Sequence, residues 1–149
     1  VLSKAAFVSA LPFGDSLTVL QLSGAELTAL FGKQAALAGS RGCQSPFQGS
    51  GFNVSIDCTG GASHLAALRV AGAAVVSSNS YSLVTTEYLA ENGAGFPMGS
   101  HLSSRVALDR DPLDVLLGAL GQRTRCGKPA LPCLDPATLR DGRISVQAP

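Results

Sequence analysis

The sequence predicts one α+β domain, in which a mixed or antiparallel sheet is flanked by two main helices. Hydrophobic residues make up 46% of the 149 positions and charged residues 14%, which is enough apolar side chain to bury a core. Short segments of alternating or β-rich composition are separated by brief Gly- and Ser-rich turns. Two other segments carry apolar residues at helical spacing. Because no linker or internal repeat interrupts these elements, we treat residues 1–149 as a single domain.

The first strand is predicted at Ser16–Leu22, where β-prone residues partly alternate. The next four residues match a capping box, in which the Ser23 hydroxyl accepts from a backbone N–H and the Glu26 carboxylate reaches back. The apolar residues that follow recur at helical spacing: Leu27, Leu30, Phe31, Ala35 and Leu37. We expect this helix to end at Gly39.

The remaining elements follow in a similar way. Further strands are predicted from alternating or β-rich composition at Phe52–Asp57, Leu65–Val70, Ser80–Glu87 and Gly142–Val146. A Gly-rich loop at Glu91–Ser104 leads to the second main helix, Asp111–Gln122. Its first helical residue is Pro112, where the missing N–H of proline does no harm, and Asp111 is its N-cap. Pro136–Leu139 is compatible with one further turn of helix.

Charge and hydropathy argue against a nucleic acid partner and against a membrane span. The formal charge is +1, and the lysines and arginines form no run, so we expect no nucleic acid partner. No run of about 18 apolar residues occurs, and no membrane span is predicted. The chain begins at Val1 without a signal-peptide pattern, from which we expect a trimmed piece of a longer protein.

Four cysteines form two local pairs, Cys43 with Cys58 and Cys126 with Cys133. Neither pair has the C-x-x-C spacing of a zinc or redox site, so two structural disulfides in an exported protein are the favoured interpretation. Buried free thiols and a metal site remain as alternatives. Four cysteines allow three connectivities, and we favour the local one because each pair brackets a turn-like stretch.

The chain carries no familiar catalytic constellation. The G-x-S-x-G, H-E-x-x-H, Walker-type and G-x-G-x-x-G patterns are all missing from the sequence. The aspartates fall mostly at caps and turns, where they serve the backbone. His64 and His101 are isolated and are interpreted as surface or core residues. We therefore predict no catalytic and no metal-binding residue in this chain, which has the character of a binding or structural module.

Three segments resemble the C-terminal domain of the 5'-nucleotidase family. Ala10–Leu27 contains L-P-F-G-D, a strand and S-G-A-E-L, in the order in which that domain opens. Tyr81–Phe96 is similar to the family's Y-x-V-x-x-N-x-[FY]-L-A-x-G-G-D-G-[FY], and Asp141–Ile144 to its closing E/D-G-R-I. The resemblance implies a 5'-nucleotidase C-terminal domain-like fold. It also implies a separate N-terminal metallophosphoesterase domain, absent from this chain, whose two divalent metal ions carry out hydrolysis.

The resemblance also implies a site for the nucleoside base. In the family two aromatic rings hold the base between them, and the matching positions here are Phe13 and Tyr88. Two ring faces would remove a flat base from water on both sides, with each stacking contact contributing about 1–3 kcal/mol. The alternative is that these rings simply pack in the core.

One position departs from the family pattern. The Asp that accepts hydrogen bonds from the ribose hydroxyls in the family is Ala94 here. The rest of the substrate-binding turn is retained as Asn92, Gly93 and Gly95, and the ribose contact is lost unless Asn92 or a neighbour serves as the acceptor. The family's phosphate-binding N-G-G-G-I-R segment lies upstream of L-P-F-G and is not in this chain.

The functional expectation is a substrate-recognition domain of an exported 5'-nucleotidase-type phosphohydrolase that acts in nucleotide catabolism. The partners implied are a nucleotide or nucleoside and the missing catalytic domain, with a periplasmic or extracellular location. No cofactor is expected in this chain, and we expect it not to be catalytic alone. The alternative, which Ala94 favours, is a scaffold or binding module of the same fold that has lost nucleoside recognition.

Overall fold

The computed structural model describes residues 5, 8–9, 14–44, 48–95, 98, 104–123 and 144–147. The strands are β1 Leu17–Ser23, β2 Phe52–Asp57, β3 His64–Val70, β4 Ala73–Ala74, β5 Ser80–Thr86, β6 Arg105–Ala107 and β7 Ile144–Gln147. The helices are α1 Gly24–Ser40, α2 Glu87–Ala90 and α3 Pro112–Arg123, with 3₁₀ turns at Thr59–Gly61 and Gly93–Gly95. The predicted α+β class is confirmed.

The strands divide between two sheets, where the sequence suggested one. The first sheet has the order β5-β1-β6 and is antiparallel. The second has the order β4-β3-β2-β7 and is mixed, because β7 runs parallel to β2. The division arises after the turn at Gly72, where β4 is only two residues long. The chain then leaves the second sheet, and β5 pairs with β1 over its whole length.

Helix α1 forms as its sequence predicts at the N-terminal end. Ser23 Oγ accepts from the Glu26 N–H at 3.2 Å, and Glu26 Oε2 accepts from the Ser23 N–H at 2.7 Å. The predicted end at Gly39 is wrong, since the helix continues to Ser40. The reversal occurs instead at Gly42, whose φ of +64° lies in the left-handed region that glycine adopts without strain.

The core lies between α1 and the inner faces of the strands. It consists of Leu20, Leu22, Leu27, Leu30, Phe31, Ala35, Ala38, Val54, Ile56, Cys58, Leu68, Ala90 and Met98. Alternation along β1 turns Leu20 and Leu22 inward, as the period of a strand requires. Phe31 of α1 meets Phe52 of β2 edge to face, with ring centroids 4.9 Å apart. Leu37, which the sequence placed near the apolar face, is exposed.

The other boundaries agree with the sequence to within a few residues. The strand predicted to reach Glu87 ends one residue earlier, because α2 begins there. Helix α3 begins at Pro112, and the Leu113 N–H donates to Asp111 Oδ1 at 2.7 Å, which confirms the predicted N-cap. The closing strand is Ile144–Gln147. The predicted turn at Pro136–Leu139 lies outside the described residues.

The structure pairs the first two cysteines. Cys43 and Cys58 are joined in the structure with their Cα atoms 6.2 Å apart, which is within the usual range for a disulfide. The link ties the end of α1 to the end of β2. The predicted partners Cys126 and Cys133 lie outside the described residues.

Candidate functional site

Helix α2 brings together two sequence motifs that are more than 70 residues apart. The Glu87 N–H donates to the Ser16 carbonyl oxygen at 2.8 Å. The Tyr88 N–H donates to Asp15 Oδ2 at 2.9 Å across a separation of 73 residues. The next amide donates to the N-cap hydroxyl of the same helix at 3.4 Å. Every amide of the first turn is therefore bonded, and two of the three acceptors come from the L-P-F-G-D-S segment.

A second set of contacts holds the side of α2. Arg105, on β6, donates to Glu91 Oε1 at 3.0 Å and is also hydrogen-bonded to Glu87 Oε1. Glu87 is the first residue of α2 and Glu91 is its C-cap, so the two carboxylates, four residues apart, lie on one side of this turn. Hydrogen bonding to Glu91 and the negative charges of both carboxylates raise the pKa of the Arg105 guanidinium. The cation is therefore charged at any working pH.

Tyr88 is not a core residue. Its side chain is 59% exposed, although its backbone is bonded to Asp15. The ring lies against Gly93, where a Cβ atom would fall 2.6 Å from the Tyr88 Cδ1 and Cε1 atoms and still closer to the Tyr88 carbonyl oxygen. Only glycine at position 93 leaves room for this ring position. The result is a phenol ring supported by backbone on one side and open to solvent over most of its surface.

The turn after α2 is fixed from the core. Asn92 has φ +67° and Gly95 has φ +77°, so the chain reverses on both sides of the 3₁₀ turn. Gln34 of α1, which is 1% exposed, donates its Nε2–H to the Gly95 carbonyl oxygen at 3.2 Å. This buried amide anchors the turn to the main helix. Position 94 is alanine, so the turn itself supplies no carboxylate for a sugar hydroxyl.

The structure thus gathers four of the five predicted substrate-binding residues, Tyr88, Asn92, Gly93 and Gly95, into one segment. Phe13 lies outside the described residues. Sequence reasoning missed Asp15, Gln34 and Arg105. Asp15 directly follows the L-P-F-G motif and could have been suspected from its place in it. Nothing local distinguishes Gln34 or Arg105, because both act on a distant part of the chain.

A cavity of about 560 Å³ lies elsewhere, between α1, β5 and the loop before β2. Its lining is largely apolar and includes Phe31, Leu83 and Met98. Leu89 lines it, but Tyr88 does not. The exposed ring and the cavity are therefore separate features, although Leu89 of α2 borders the cavity.

Two possible functions receive no structural support within the described ranges. No group of three His, Cys, Asp or Glu side chains there could hold a metal ion. His64 is exposed, with its Nε2 atom 3.9 Å from Asp57 Oδ2, and His101 is outside those ranges. Of the helices that are described, none is long and apolar enough to cross a membrane.

Comparison with known proteins identifies the family. The profile of the family described as "5'-nucleotidase, C-terminal domain" matches residues 2–101, about two thirds of the chain. A sequence search of curated proteins gave no match.

Several solved structures share the fold. The 5'-nucleotidase precursor from Thermus thermophilus has a TM-score of 0.69 and 20% identity, over 97% of this chain and 27% of that one. The NAD nucleotidase of Haemophilus influenzae has a TM-score of 0.68 and 16% identity, over 81% and 24%. A putative 5'-nucleotidase from Staphylococcus aureus, in complex with alpha-ketoglutarate, has a TM-score of 0.57 and 15% identity, over 86% and 28%.

This chain spans about a quarter of the length of each of these structures. At such identities the likeness concerns the fold, and the family assignment rests on the sequence profile, which covers the strand and helix that open the domain and the α2 segment. The predicted resemblance is confirmed: the chain belongs to the family of 5'-nucleotidase C-terminal domains.

Proposed function

We propose that this chain is the substrate-recognition domain of a 5'-nucleotidase-type phosphohydrolase and that the nucleoside base stacks on the ring of Tyr88. The observation that carries the proposal is the position of this ring. It is 59% exposed, it rests on Gly93, and its backbone is tied to Asp15. A large aromatic ring held in place and left open to solvent has the properties of a stacking platform.

Phe13 is proposed as the second ring. It precedes Asp15 by two residues, so chain geometry limits the distance between their Cα atoms to about 7 Å. Asp15 in turn bonds the Tyr88 N–H. The separation of two residues keeps Phe13 near the residue that bonds α2, and this supports its assignment as the second ring.

Recognition of the sugar is proposed to be weak. Ala94 stands where the family's ribose-binding carboxylate is expected, and a charged acceptor for two hydroxyls contributes on the order of a few kcal/mol. Stacking on two rings alone supports dissociation constants in roughly the millimolar range. We therefore expect the base to contribute more to affinity than the ribose.

Hydrolysis is assigned to a metallophosphoesterase domain outside these 149 residues, which would hold two divalent metal ions. An exported, periplasmic or extracellular protein is supported by the Cys43–Cys58 pair and by the description of the Thermus protein as a precursor. The chain alone should release no phosphate from AMP. Phosphate release by this chain in the presence of a chelator would contradict the assignment.

The test is an NMR titration of the chain with adenosine, AMP and a UDP-sugar. We expect the Tyr88 ring resonances to move upfield and saturate, because a stacked base shields them. Tyr88→Phe should retain binding, and Tyr88→Ala should weaken it measurably, by the roughly 1–3 kcal/mol that one stacking ring contributes. The matched control is Tyr81→Phe, since Tyr81 is the other tyrosine of the chain and its hydroxyl accepts from the Val76 N–H away from α2.

The chain contains no tryptophan, so in Tyr81→Phe the tyrosine fluorescence reports on Tyr88 alone. Saturable quenching of this emission by adenosine would support stacking, because a base on the ring contacts the fluorophore directly. If no ligand moves either the ring resonances or the fluorescence, nucleoside recognition is excluded. That result would support the second candidate, a scaffold module of the same fold, which is favoured by the alanine at position 94.

A further inference from the structure

Helix α2 is four residues long, too short to be stable by its own backbone hydrogen bonds. The direction of the Tyr88 ring therefore depends on contacts from outside the helix. We propose that Arg105 is a positioning residue for nucleoside recognition: by holding Glu87 and Glu91 it fixes the turn that carries Tyr88. The identity of the ligand depends on the function proposed above, whereas the claim that Arg105 restrains the turn does not.

Arg105 is suited to this role because its own backbone is fixed. It lies on β6 and pairs in register with Leu20 of β1, a residue at the centre of the core. Its side chain is 22% exposed, whereas those of Glu87 and Glu91 are 39% and 56% exposed, so it is the geometry of these contacts and not their burial that restrains the turn. The guanidinium is a planar fork with several N–H donors, and it can bond two carboxylates at once in one orientation.

The two carboxylates enclose Tyr88 in sequence. Glu87 directly precedes the ring residue and Glu91 follows it by three, which spans the whole helix. The bond from the Tyr88 N–H to Asp15 holds one end of the turn. Arg105 adds the restraint along its side. Together these contacts stop the turn from rotating, and the ring stays over Gly93.

Charge adds to the effect. Like charges four residues apart on a helix destabilise it, and the cation between Glu87 and Glu91 turns their repulsion into two attractions. The hydrogen bonds of Arg105 to Glu87 and Glu91 form a clamp. Arg105→Gln removes this clamp and leaves the two carboxylates to repel each other. Arg105→Lys keeps the charge but loses the planar fork. We expect the order of adenosine affinity to be Arg105, then Lys, then Gln, with a loss of about three- to tenfold for Gln.

A ligand-free measurement tests the positioning by itself. Hydrogen exchange of the Tyr88 amide, which donates to Asp15, should be several-fold faster in Arg105→Gln than in the unchanged 149-residue chain. The matched control is Val106→Thr, the next residue on β6, which is exposed and has no part in the clamp. Its Tyr88 amide should exchange at the original rate. Equal exchange rates in Arg105→Gln and in the unchanged chain would overturn the proposal.

A double substitution separates positioning from direct ligand contact. In a Tyr88→Ala background, Arg105→Gln should cause no further loss of adenosine affinity. A loss of the same size in both backgrounds would show that Arg105 acts on the ligand or on the whole domain, and would refute positioning. If adenosine does not bind the unchanged chain, the proposed function fails, and the exchange measurement alone decides whether Arg105 fixes the turn.

Discussion

Helices α1 and α2 each follow a strand directly, yet they are stabilised in different ways. Helix α1 has 17 residues, a capping box formed by its own Ser23 and Glu26, and a row of side chains in the core. Helix α2 has four residues. Its amides and carboxylates are bonded by residues near position 15 and at Arg105. One helix is specified locally, and the other is specified by the rest of the fold.

The comparison assigns different roles to the two helices. Because α1 supplies much of the buried apolar surface, changes in it should alter the free energy of unfolding. Because α2 buries little and presents Tyr88, changes around it should alter ligand affinity first. The candidate site lies in a region with less local stabilisation than α1, as is common for binding segments.

The largest effect is expected in the core of α1. Leu30 is 4% exposed, and Leu30→Ala should lower the free energy of unfolding by about 2–5 kcal/mol through lost burial and a residual cavity. Leu37, on the same helix but 36% exposed, provides the control, and Leu37→Ala should cost less than about 1 kcal/mol. Denaturant unfolding measures both. Equal losses would mean that α1 does not pack as the structure shows.

The next effect concerns the link at the end of α1. Replacing Cys43 and Cys58 by serine should lower the free energy of unfolding by about 3 kcal/mol, because a loop of 15 residues is no longer closed in the unfolded chain. Each single serine variant should lose as much as the double one. Adenosine affinity of the folded protein should be unchanged, since α2 is not connected to this link. A double variant as stable as the original would show that the pair is not formed in solution.

A smaller change in free energy, but a specific one, is expected beside α2. Gly93→Ala places a methyl group against the Tyr88 ring and carbonyl oxygen, so adenosine affinity should fall about tenfold. The cost in unfolding free energy should be about 1–3 kcal/mol, because the new Cβ would lie 2.4 Å from the Tyr88 carbonyl oxygen and the backbone must shift. Gly118→Ala is the control, because a Cβ there meets no atom within 4 Å in helix α3. It should stabilise the chain by about 0.5–1 kcal/mol without changing affinity. Unchanged affinity in Gly93→Ala would separate Tyr88 from ligand binding.

The smallest effect is a pH dependence at the far end of α1. The Thr59 backbone N–H, which donates to Asp57 Oδ1 at 2.8 Å, and the Thr59 hydroxyl lower the pKa of the Asp57 carboxyl below 3.8. Nearby His64 lowers it a little further. Since the folded state favours the ionised form, this contribution is present above pH 3.8 and disappears as pH falls through the lowered pKa.

Asp57→Asn should therefore reduce the loss of stability as pH falls below about 4, measured by denaturant unfolding at each pH. Asp57 is connected to the end of α1 through Ser63, which lies in the segment that follows it. The Ser63 hydroxyl accepts from the Gly39 N–H and donates to the Ala36 carbonyl oxygen. An Asp57→Asn variant with the same acid dependence as the original would exclude this carboxyl as a source.

The sequence determined the elements whose causes are local. The strand β1 and the helix α1 were predictable because alternation, the capping box at Ser23 and helical spacing act within a few residues. The N-cap at Asp111 and the strand β2 were predictable for the same reason. The motifs containing Phe13 and Tyr88 also indicated the family to which the chain belongs. What the motifs could not show is that Tyr88 is exposed and that Asp15 joins the two segments.

Only the tertiary structure decided the division into two sheets, the helical turn at Glu87–Ala90 and the clamp by Arg105. Each depends on pairing between segments far apart in the chain, which no local pattern records. A four-residue turn has no detectable period, and its formation depends on Ser16, Asp15 and Arg105 being brought to it by the sheet. The sequence therefore contained the ring at Tyr88, and the fold gave that ring its exposed and supported position.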